Sequence, residues 1–369
     1  MISLGNIRAI IVGITTYFSM SVGIFFILNT HFIINDESFS YKKNFICSLF
    51  IMMSYLLISI LFLFLKHKIF KIFFYIYFLF SGFILHCCLG ALLYFLIGNI
   101  FSKYINLFIL YGSGFFLTLY GIYNEKNIRF DKIILKFHKY KGKPIKICHL
   151  SDLHLGPIYG KELCEKIINL IKKEDFELIV ITGDLAEGDF GDVKITQDMF
   201  EPFKNVTIPI YYVTGNHEEF TNKEEMFKFL SNSNIIHLKD KCINYKNLFN
   251  LIGIDYNKPY NQVKNNLKNI TPKNTDLINI CISHIPFFKP IDLIPYNIDL
   301  FLCGHTHGAQ LFPTIIYIYL KNTVFNGLYT YINNNREYYV YVVSGVGTSG
   351  PPLRVCSYSN IGHITIEGY

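Results

Sequence analysis

The sequence contains no tryptophan, few charged residues and no pair of cysteines with C-x-x-C spacing. The missing tryptophan accompanies a composition rich in isoleucine, lysine and asparagine, which reflects base bias and excludes no function. Nine cysteines, an odd number without such pairs, argue against a disulfide framework and favour a reducing compartment. Charged residues are 17% of the chain, and much of the net charge of +7 lies in loops, so no nucleic-acid binding is expected.

The apolar residues of the first third form four stretches long enough to cross a bilayer, which takes about 20 residues as helix. These stretches are Ile7–Leu28, Phe45–Leu65, Ile72–Ile97 and Ile105–Tyr123. The first could instead be a signal peptide, but it has no small-residue cleavage site and three more stretches follow it. Residues 1–124 are therefore predicted to be a membrane region of about four transmembrane helices, and residues 125–369 a separate domain.

Basic residues flank these stretches unevenly. One side would hold Arg8, Lys66, Lys68, Lys71 and the run from Lys126 to Lys136, and the other would hold Lys42, Lys43 and Lys103 with two acids. The positive-inside rule then predicts an integral membrane protein with its carboxy-terminal domain on the cytoplasmic face. The further lysines up to Lys146 could rest on anionic lipid or form a solvated linker and edge strand.

After residue 125 the pattern changes to short apolar runs of strand length that alternate with helical stretches. Alternation of this kind predicts an α/β domain whose strands are covered on both faces. One predicted helix is Gly160–Lys173, and another is opened by a capping box of Thr221 and Glu224. The runs are IKICHL, LIVIT, IYYVT, INICIS, IDLFLC and YYVYVVS, starting at Ile145, Leu178, Ile210, Ile278, Ile298 and Tyr338.

Polar side chains follow five of these runs at the point where each strand ends. The five loops are Ser151-Asp152-Leu153-His154, Gly183-Asp184, Gly215-Asn216-His217-Glu218, Ser283-His284 and Gly304-His305-Thr306-His307. Each motif alone is weak, but five in order, each after a buried strand, predict a single site beyond the strand ends. The alternate spacing of D-x-H and H-x-H would send both side chains of each pair the same way in extended chain. The preceding glycines would allow sharp turns.

The chemistry of these side chains fits divalent metal ions. Carboxylate, imidazole and one amide suit Mn, Fe or Zn, and the absence of thiolate argues against a structural zinc site. Two ions about 3.5–4 Å apart need a shared ligand, which a carboxylate can be.

In this order, D-x-H, G-D, G-N-H-E, a solitary S-H and G-H-T-H resemble the calcineurin-like metallophosphoesterase superfamily. The resemblance covers residues 125–369. The sequence G-H-T-H-G-A-Q with a following proline, Gly327-Leu328-Tyr329 and the run V-S-G-V-G-T-S-G-P-P-L-R resemble its membrane-linked, bacterial-type branch. Ala309 departs from that branch, which usually has a second glycine there.

The resemblance implies a four-layer α/β/β/α sandwich and a dinuclear site. One metal would be held by Asp152, His154, Asp184 and His307. The other would be held by Asp184 as the bridge with Asn216, His284 and His305.

The expected activity is metal-dependent hydrolysis of a phosphodiester or pyrophosphate by a metal-bound hydroxide. His217 is the candidate general acid, with a supporting role beside the metal ligands as its alternative. Arg354 is a candidate phosphate ligand or a plain surface arginine. The acidic residues Glu187, Asp189 and Asp192 are interpreted as solvated loop positions.

Membrane anchorage makes a lipid or envelope precursor an attractive substrate, with the bilayer itself as a partner. A nucleotide phosphodiesterase is the alternative enzyme. A non-catalytic scaffold is disfavoured because the ligand set is complete. A transport path is disfavoured because the apolar stretches hold almost no charge, whereas a sensor role for these stretches stays open.

Overall fold

A computed structural model describes residues 22–35, 46, 48, 53, 67–188, 195–256, 259–273, 276–312, 314–321, 324–334 and 336–369. The chain forms two compact units. The helical unit contains the described residues up to Asn124 together with Gly350–Val355. The sandwich unit contains Glu125–Gly188, the described residues from Ile195 to Ser349, and Cys356–Tyr369.

The helical unit contains α1 (Val22–Asn35), α2 (His67–Ile97) and α3 (Lys103–Lys126). Two helical stretches are long and apolar enough to cross a membrane: Phe74–Ile100, which is most of α2 with the 3-10 turn that follows it, and Lys103–Lys126, which is α3. They coincide with the third and fourth predicted spans. The first predicted span overlaps α1 only from residue 22 onward, and the second lies outside the described residues except for residues 46, 48 and 53.

Small residues bring α2 and α3 close together. A Cβ on Gly90 would lie 2.5 Å from the Ile109 carbonyl oxygen, and one on Gly114 would lie 2.2 Å from Cys87 Sγ. Helices in a membrane pack in this way, with close approach of their backbones at small residues, because the hydrophobic effect does not drive helices together in lipid.

The segment Gly350–Val355 packs within the helical unit although it follows the sandwich in sequence. The Arg354 N–H donates to the Gly121 carbonyl at 3.0 Å, and Asn124 Nδ2 donates to the Arg354 carbonyl at 3.1 Å. Leu353 packs against Gly82, where a Cβ would come within 2.3 Å of it.

The sandwich unit contains two six-stranded sheets. The strands of the first sheet are β1 (Arg129–Lys136), β2 (Ile145–Leu150), β3 (Leu178–Thr182), β4 (Ile210–Val213), β5 (Ile235–His237) and β12 (Asn360–Glu367). They lie in the order β1-β12-β2-β3-β4-β5, in which β2 to β5 are parallel and β12 runs antiparallel to β2.

The strands of the second sheet are β6 (Lys241–Tyr245), β7 (Phe249–Ile254), β8 (Ile278–Ser283), β9 (Leu300–Cys303), β10 (Gly327–Asn333) and β11 (Arg336–Val342). They lie in the order β10-β11-β9-β8-β7-β6, in which the neighbours β7, β8, β9 and β11 are parallel. All six apolar runs quoted from the sequence therefore form strands.

Alternate residues of each central strand enter different apolar layers, as the twofold period of a strand requires. Ile147 and Val180 face the second sheet, where Ile280 and Leu302 meet them. The opposite faces of the first and second sheets are covered by helices that bury Ile167 and Val263, among others. These helices are α4 (Lys161–Ile171), α5 (Gln197–Phe200), α6 (Lys223–Ser231) and α7 (Tyr260–Ile270). A further helix, α8 (Thr314–Lys321), follows β9 in the chain. The predicted α/β/β/α sandwich is confirmed.

The predicted capping box at the start of α6 is wrong by one residue. Asn222, not Thr221, is the N-cap, and its side chain accepts a hydrogen bond from the Glu225 N–H. Thr221 instead donates its hydroxyl to the Glu218 carbonyl at 2.8 Å.

Candidate metal centre

The polar loops that follow β2, β3, β4, β8 and β9 meet beyond the ends of these strands, in the sandwich unit. Three groups of side chains place their potential ligand atoms within 4.8 Å of one another. The groups are Asp152, His154 and His307; His154, Asp184 and His217; and Asp184, His284 and His305.

The first group is centred on Asp152. His307 Nε2 lies 3.4 Å and His154 Nε2 lies 3.9 Å from Asp152 Oδ1, and the two histidine nitrogens are 3.1 Å apart. All three residues are buried. This group contains three of the four residues that the resemblance implies for one metal.

The other two groups share Asp184, the fourth ligand implied for the first metal. Its Oδ2 lies 3.2 Å from His284 Nε2 and 3.8 Å from His154 Nε2. His284 Nε2 lies 3.1 Å from His305 Nδ1 and 3.0 Å from Asn216 Oδ1. Asp184 thus lies between the residues implied for the two metals, as a bridging ligand would.

The backbone of the ligand loops is strained. Asp152, His154, Asp184, His305 and His307 all have φ between 47° and 72°, a region that residues other than glycine rarely adopt. The expectation that D-x-H and H-x-H would be extended is therefore wrong, although both pairs do converge on the site. Strain of this kind persists only where the surrounding structure imposes it, and it concentrates at functional sites.

Glycines allow the loops to approach one another closely. A Cβ on Gly304 would lie 2.0 Å from Ser151 Oγ and 2.3 Å from Asp152 Oδ2. A Cβ on Gly215 would lie 2.2 Å from Asp184 Oδ1. Any larger residue at these positions would push the carboxylates out of place.

Two histidines have their ring orientation fixed by a partner outside the ligand set. His284 Nδ1 contacts the Thr182 carbonyl at 2.9 Å, and His154 Nδ1 contacts the carboxylate of Glu187. Each contact requires a proton on Nδ1, so a cation that displaces any proton from Nε2 would find the Nε2 lone pair directed at the site. This is the arrangement that metal-ligating histidines adopt.

The prediction that Glu187 is a solvated loop residue is wrong, because its carboxylate lies between two histidines of the site. Its carboxylate also lies 3.3 Å from His217 Nδ1, and its side chain is only 13% exposed. Burial opposes ionisation, but the two imidazoles outweigh it and lower the pKa of Glu187. Asp189 and Asp192, which were interpreted in the same way, lie outside the described residues.

Glu218 is a second carboxylate whose position the sequence does not reveal. It is fully buried and accepts hydrogen bonds from the backbone N–H groups of Asp184, Ala186 and Gly215, at 3.1, 3.0 and 2.6 Å. Glu218 therefore joins the loops after β3 and β4, which carry Asp184, Asn216 and His217.

Burial and mutual charge make the pKa values of the site diverge. Burial raises the pKa of Asp152, and the charge of Asp184 adds to this effect. Burial would lower the pKa of His284, but Asp184 outweighs it and raises that pKa to about 9. The pKa of His305 is lowered to about 3 by burial and by the charge of His284.

The site fits a cation. Asp152 Oδ1 is fully buried and has no hydrogen-bond donor among the described residues. A buried carboxylate oxygen without a donor is costly, and a bound cation would satisfy it. Carboxylate oxygen with imidazole nitrogen is a donor set that suits Mn, Fe or Zn.

His217 and Arg354 occupy different surroundings. The His217 N–H donates to Asp184 Oδ1 at 2.9 Å, and its Nε2 lies 3.9 Å from Asp184 Oδ2. Arg354, the candidate phosphate ligand, is fully buried within the helical unit. The alternative of a plain surface arginine is therefore wrong, and the role of Arg354 as a phosphate ligand stays a prediction.

Residues 145–309 match the calcineurin-like phosphoesterase family. A Caenorhabditis elegans protein named as a metallophosphoesterase is 32% identical over 68% of this chain, and the match spans 54% of that protein. An Aquifex aeolicus protein named as an uncharacterized metallophosphoesterase is 27% identical over 69% of this chain and 98% of its own length. A Danio rerio transmembrane protein with a metallophosphoesterase domain is 29% identical over 60% of this chain and 53% of its own length.

Proposed function

Because residues 145–309 belong to the calcineurin-like metallophosphoesterase family of phosphoric ester hydrolases, we propose that this chain is a membrane-anchored phosphoesterase with two divalent metal ions. The bond cleaved would be a phosphodiester or a pyrophosphate, in a lipid or an envelope precursor. The observation that carries the proposal is the position of one carboxylate, Asp184, whose Oδ2 lies 3.8 Å from His154 Nε2 and 3.2 Å from His284 Nε2.

The two ions would be held by the residues that the geometry brings together. Asp152, His154 and His307 would hold one ion, and Asn216, His284 and His305 the other, with Asp184 between them. Bound divalent ions supply an activated water and neutralise charge on the phosphoryl oxygens.

His217 is placed to give a proton to the leaving oxygen. Its Nδ1 is held by the Glu187 carbonyl at 3.1 Å and by the Glu187 carboxylate, so its Nε2 faces the ligand groups. The ionised Glu187 would stabilise the protonated ring. The His217 side chain is 15% exposed, which lets it exchange protons with solvent between turnovers.

Anchorage and sidedness form the finer part of the proposal. Relatives named as transmembrane proteins and the two long apolar helices support attachment to a bilayer. The uneven distribution of lysine and arginine around the apolar stretches supports a cytoplasmic position for the sandwich unit.

Removal of metal tests the proposed activity directly. Detergent-purified full-length protein is expected to hydrolyse bis-p-nitrophenyl phosphate with Mn²⁺, to lose turnover after treatment with a chelator, and to regain it when Mn²⁺ is restored. The physical reason is that bound divalent cations activate the attacking water and neutralise charge on the phosphoryl oxygens. Turnover that survives chelation would contradict a metal mechanism. A folded, metal-loaded protein that is inactive with Mn, Fe and Zn would favour a non-catalytic role.

A further inference from the structure

Helix α8 exposes an apolar surface that the metal centre does not use. Its eight residues, TIIYIYLK, include none that is buried. Ile316, Tyr317, Tyr319 and Leu320 are 55%, 60%, 68% and 78% exposed. Single exposed apolar residues are ordinary on a soluble protein, but four large ones on two turns of one helix form a patch of the kind that marks a binding surface.

Both ends of α8 are attached to the loop that carries His305 and His307. At its start, Thr314 Oγ1 donates to the Ala309 carbonyl at 3.1 Å. Near its end, the ring of Tyr319 meets the ring of Phe325 edge-on, with centroids 6.1 Å apart. The Phe325 carbonyl in turn accepts a hydrogen bond from Thr306 Oγ1, between the two histidines.

These contacts connect α8 to the loop of the candidate metal ligands through Ala309 at one end and through Phe325 and Thr306 at the other. The exposed apolar surface and the candidate metal ligands are therefore neighbours in the sandwich unit.

The composition of α8 fits a lipid surface. Aliphatic side chains lie beside two tyrosines, which favour the boundary between water and lipid, and the helix has no acidic residue in its first turn. Lys321 Nζ lies 5.3 Å from the centre of the Tyr317 ring, so its stem extends along the apolar surface while its charge can reach head groups. An exposed apolar face with a basic residue beside it is what allows a helix to lie in the interface of a bilayer.

Two further observations favour lipid over another protein. The same chain carries two helices long and apolar enough to cross a membrane, so a bilayer would be present at high effective concentration. In addition, an eight-residue helix is only about 12 Å long, too short to bury the roughly 1,000 Å² of a stable dimer.

We propose that the exposed surface of α8, formed by Ile316, Tyr317, Tyr319 and Leu320, inserts into the head-group region of a bilayer. Insertion would place the metal centre where it can reach a phosphate ester that belongs to a membrane lipid. This substrate class rests on the proposed phosphoesterase function. Insertion of α8 would hold the 304–309 loop at the lipid surface, where the ester of a membrane lipid is found.

The absence of tryptophan from the chain makes insertion measurable, because a single introduced tryptophan is the only indole. Full-length Tyr319→Trp protein is reconstituted into phosphatidylcholine and phosphatidylglycerol vesicles with and without brominated acyl chains. Ile236→Trp, at a 49% exposed position on β5, is the matched control. Bromolipid is expected to quench the Tyr319→Trp emission at least about twofold more than the control, since an interfacial helix sits at the head-group and acyl boundary.

Equal quenching at the two positions, or none at position 319, would overturn the insertion of α8. So would emission from Tyr319→Trp that responds to protein concentration and not to lipid, because this result would show that a second copy covers the helix.

A charge on the surface of α8 tests the link to the substrate. Turnover of a long-chain lipid pyrophosphate in vesicles is compared with turnover of bis-p-nitrophenyl phosphate for Leu320→Glu and for Ile236→Glu. The lipid-to-soluble ratio is expected to fall about tenfold for Leu320→Glu only, the order of effect that loss of one buried leucine produces. An unchanged ratio would overturn delivery by α8. Absence of turnover of both esters would refute the phosphoesterase proposal and leave the quenching result standing.

Discussion

Replacement of Asp184 by asparagine is expected to reduce metal-dependent diester hydrolysis by about a thousandfold or more, because loss of charge stabilisation by a bound ion costs several kcal/mol at the transition state. Asp184 Oδ2 lies 3.2 Å from His284 Nε2 and 3.8 Å from His154 Nε2, so it joins the two ligand groups. Asparagine keeps the shape of the side chain but removes its charge and one of its two ligand oxygens. A carbonyl oxygen with an NH₂ group beside it cannot bridge two cations.

The matched control is Asp175→Asn, which makes the same chemical change on a side chain that is 79% exposed. This variant should retain the activity of the wild type. Thermal unfolding of the metal-free proteins shows whether Asp184→Asn still folds. Equal turnover by Asp184→Asn and wild type would refute the assignment of Asp184 as the bridge.

Replacement of His217 by asparagine is expected to act selectively on esters with poor leaving groups. General acid catalysis contributes about 10²- to 10⁴-fold, and this contribution matters when the departing oxygen needs a proton. Turnover of an alkyl phosphodiester should therefore fall by about a hundredfold or more, whereas turnover of bis-p-nitrophenyl phosphate should fall much less, because p-nitrophenolate leaves without a proton.

The ratio of these two losses separates an acid from a residue that only supports the site. His217 also donates its backbone N–H to Asp184, and a disturbed backbone would lower both activities equally. A uniform loss would therefore contradict the assignment of His217 as general acid. His138→Asn, at a side chain that is 51% exposed, serves as the control and should leave both activities unchanged.

The strands that carry the site could be predicted from the sequence because each is a continuous apolar run. Ile278–Ser283 and Leu300–Cys303 are buried on both faces, and burial of that kind leaves few polar residues in a strand. In contrast, β7 (Phe249–Ile254) is not among the predicted strands although it is wholly buried, because both Asn250 and Gly253 interrupt its apolar residues. The Asn250 side chain is accommodated because its Nδ2 donates to Asn279 Oδ1 on β8 at 2.8 Å.

The sequence predicts that the candidate ligands converge on one place, as the structure shows, but it does not predict the residues that orient them. The sequence predicts a solvated Glu187 because acidic residues in a loop usually are solvated, and its partners His154 and His217 are distant in sequence. Its position three residues after Asp184, on the same loop, is the one signal that could have indicated it. The partners of Glu218 are backbone N–H groups, which no sequence pattern reveals.

The division of the chain was predicted at residue 124, where the long apolar stretches end. The sequence does not show that Gly350–Val355 packs with the helical unit. The glycine- and proline-rich run around it predicts a loop, but packing depends on Gly82 and Gly121, which leave room for Leu353 and its neighbours. Small residues in an apolar helix indicate close packing at that point, but they do not identify the segment of the chain that packs there.

The number of metal ions bound per chain tests the account most directly. Metal-free full-length protein is titrated with Mn²⁺, and bound metal is counted by elemental analysis while paramagnetic resonance detects coupling between ions. We predict two Mn²⁺ ions per wild-type chain with a coupled signal, and the loss of coupling in Asp184→Asn. A wild-type chain that binds one ion or none, or two ions without coupling, would contradict a dinuclear centre bridged by Asp184.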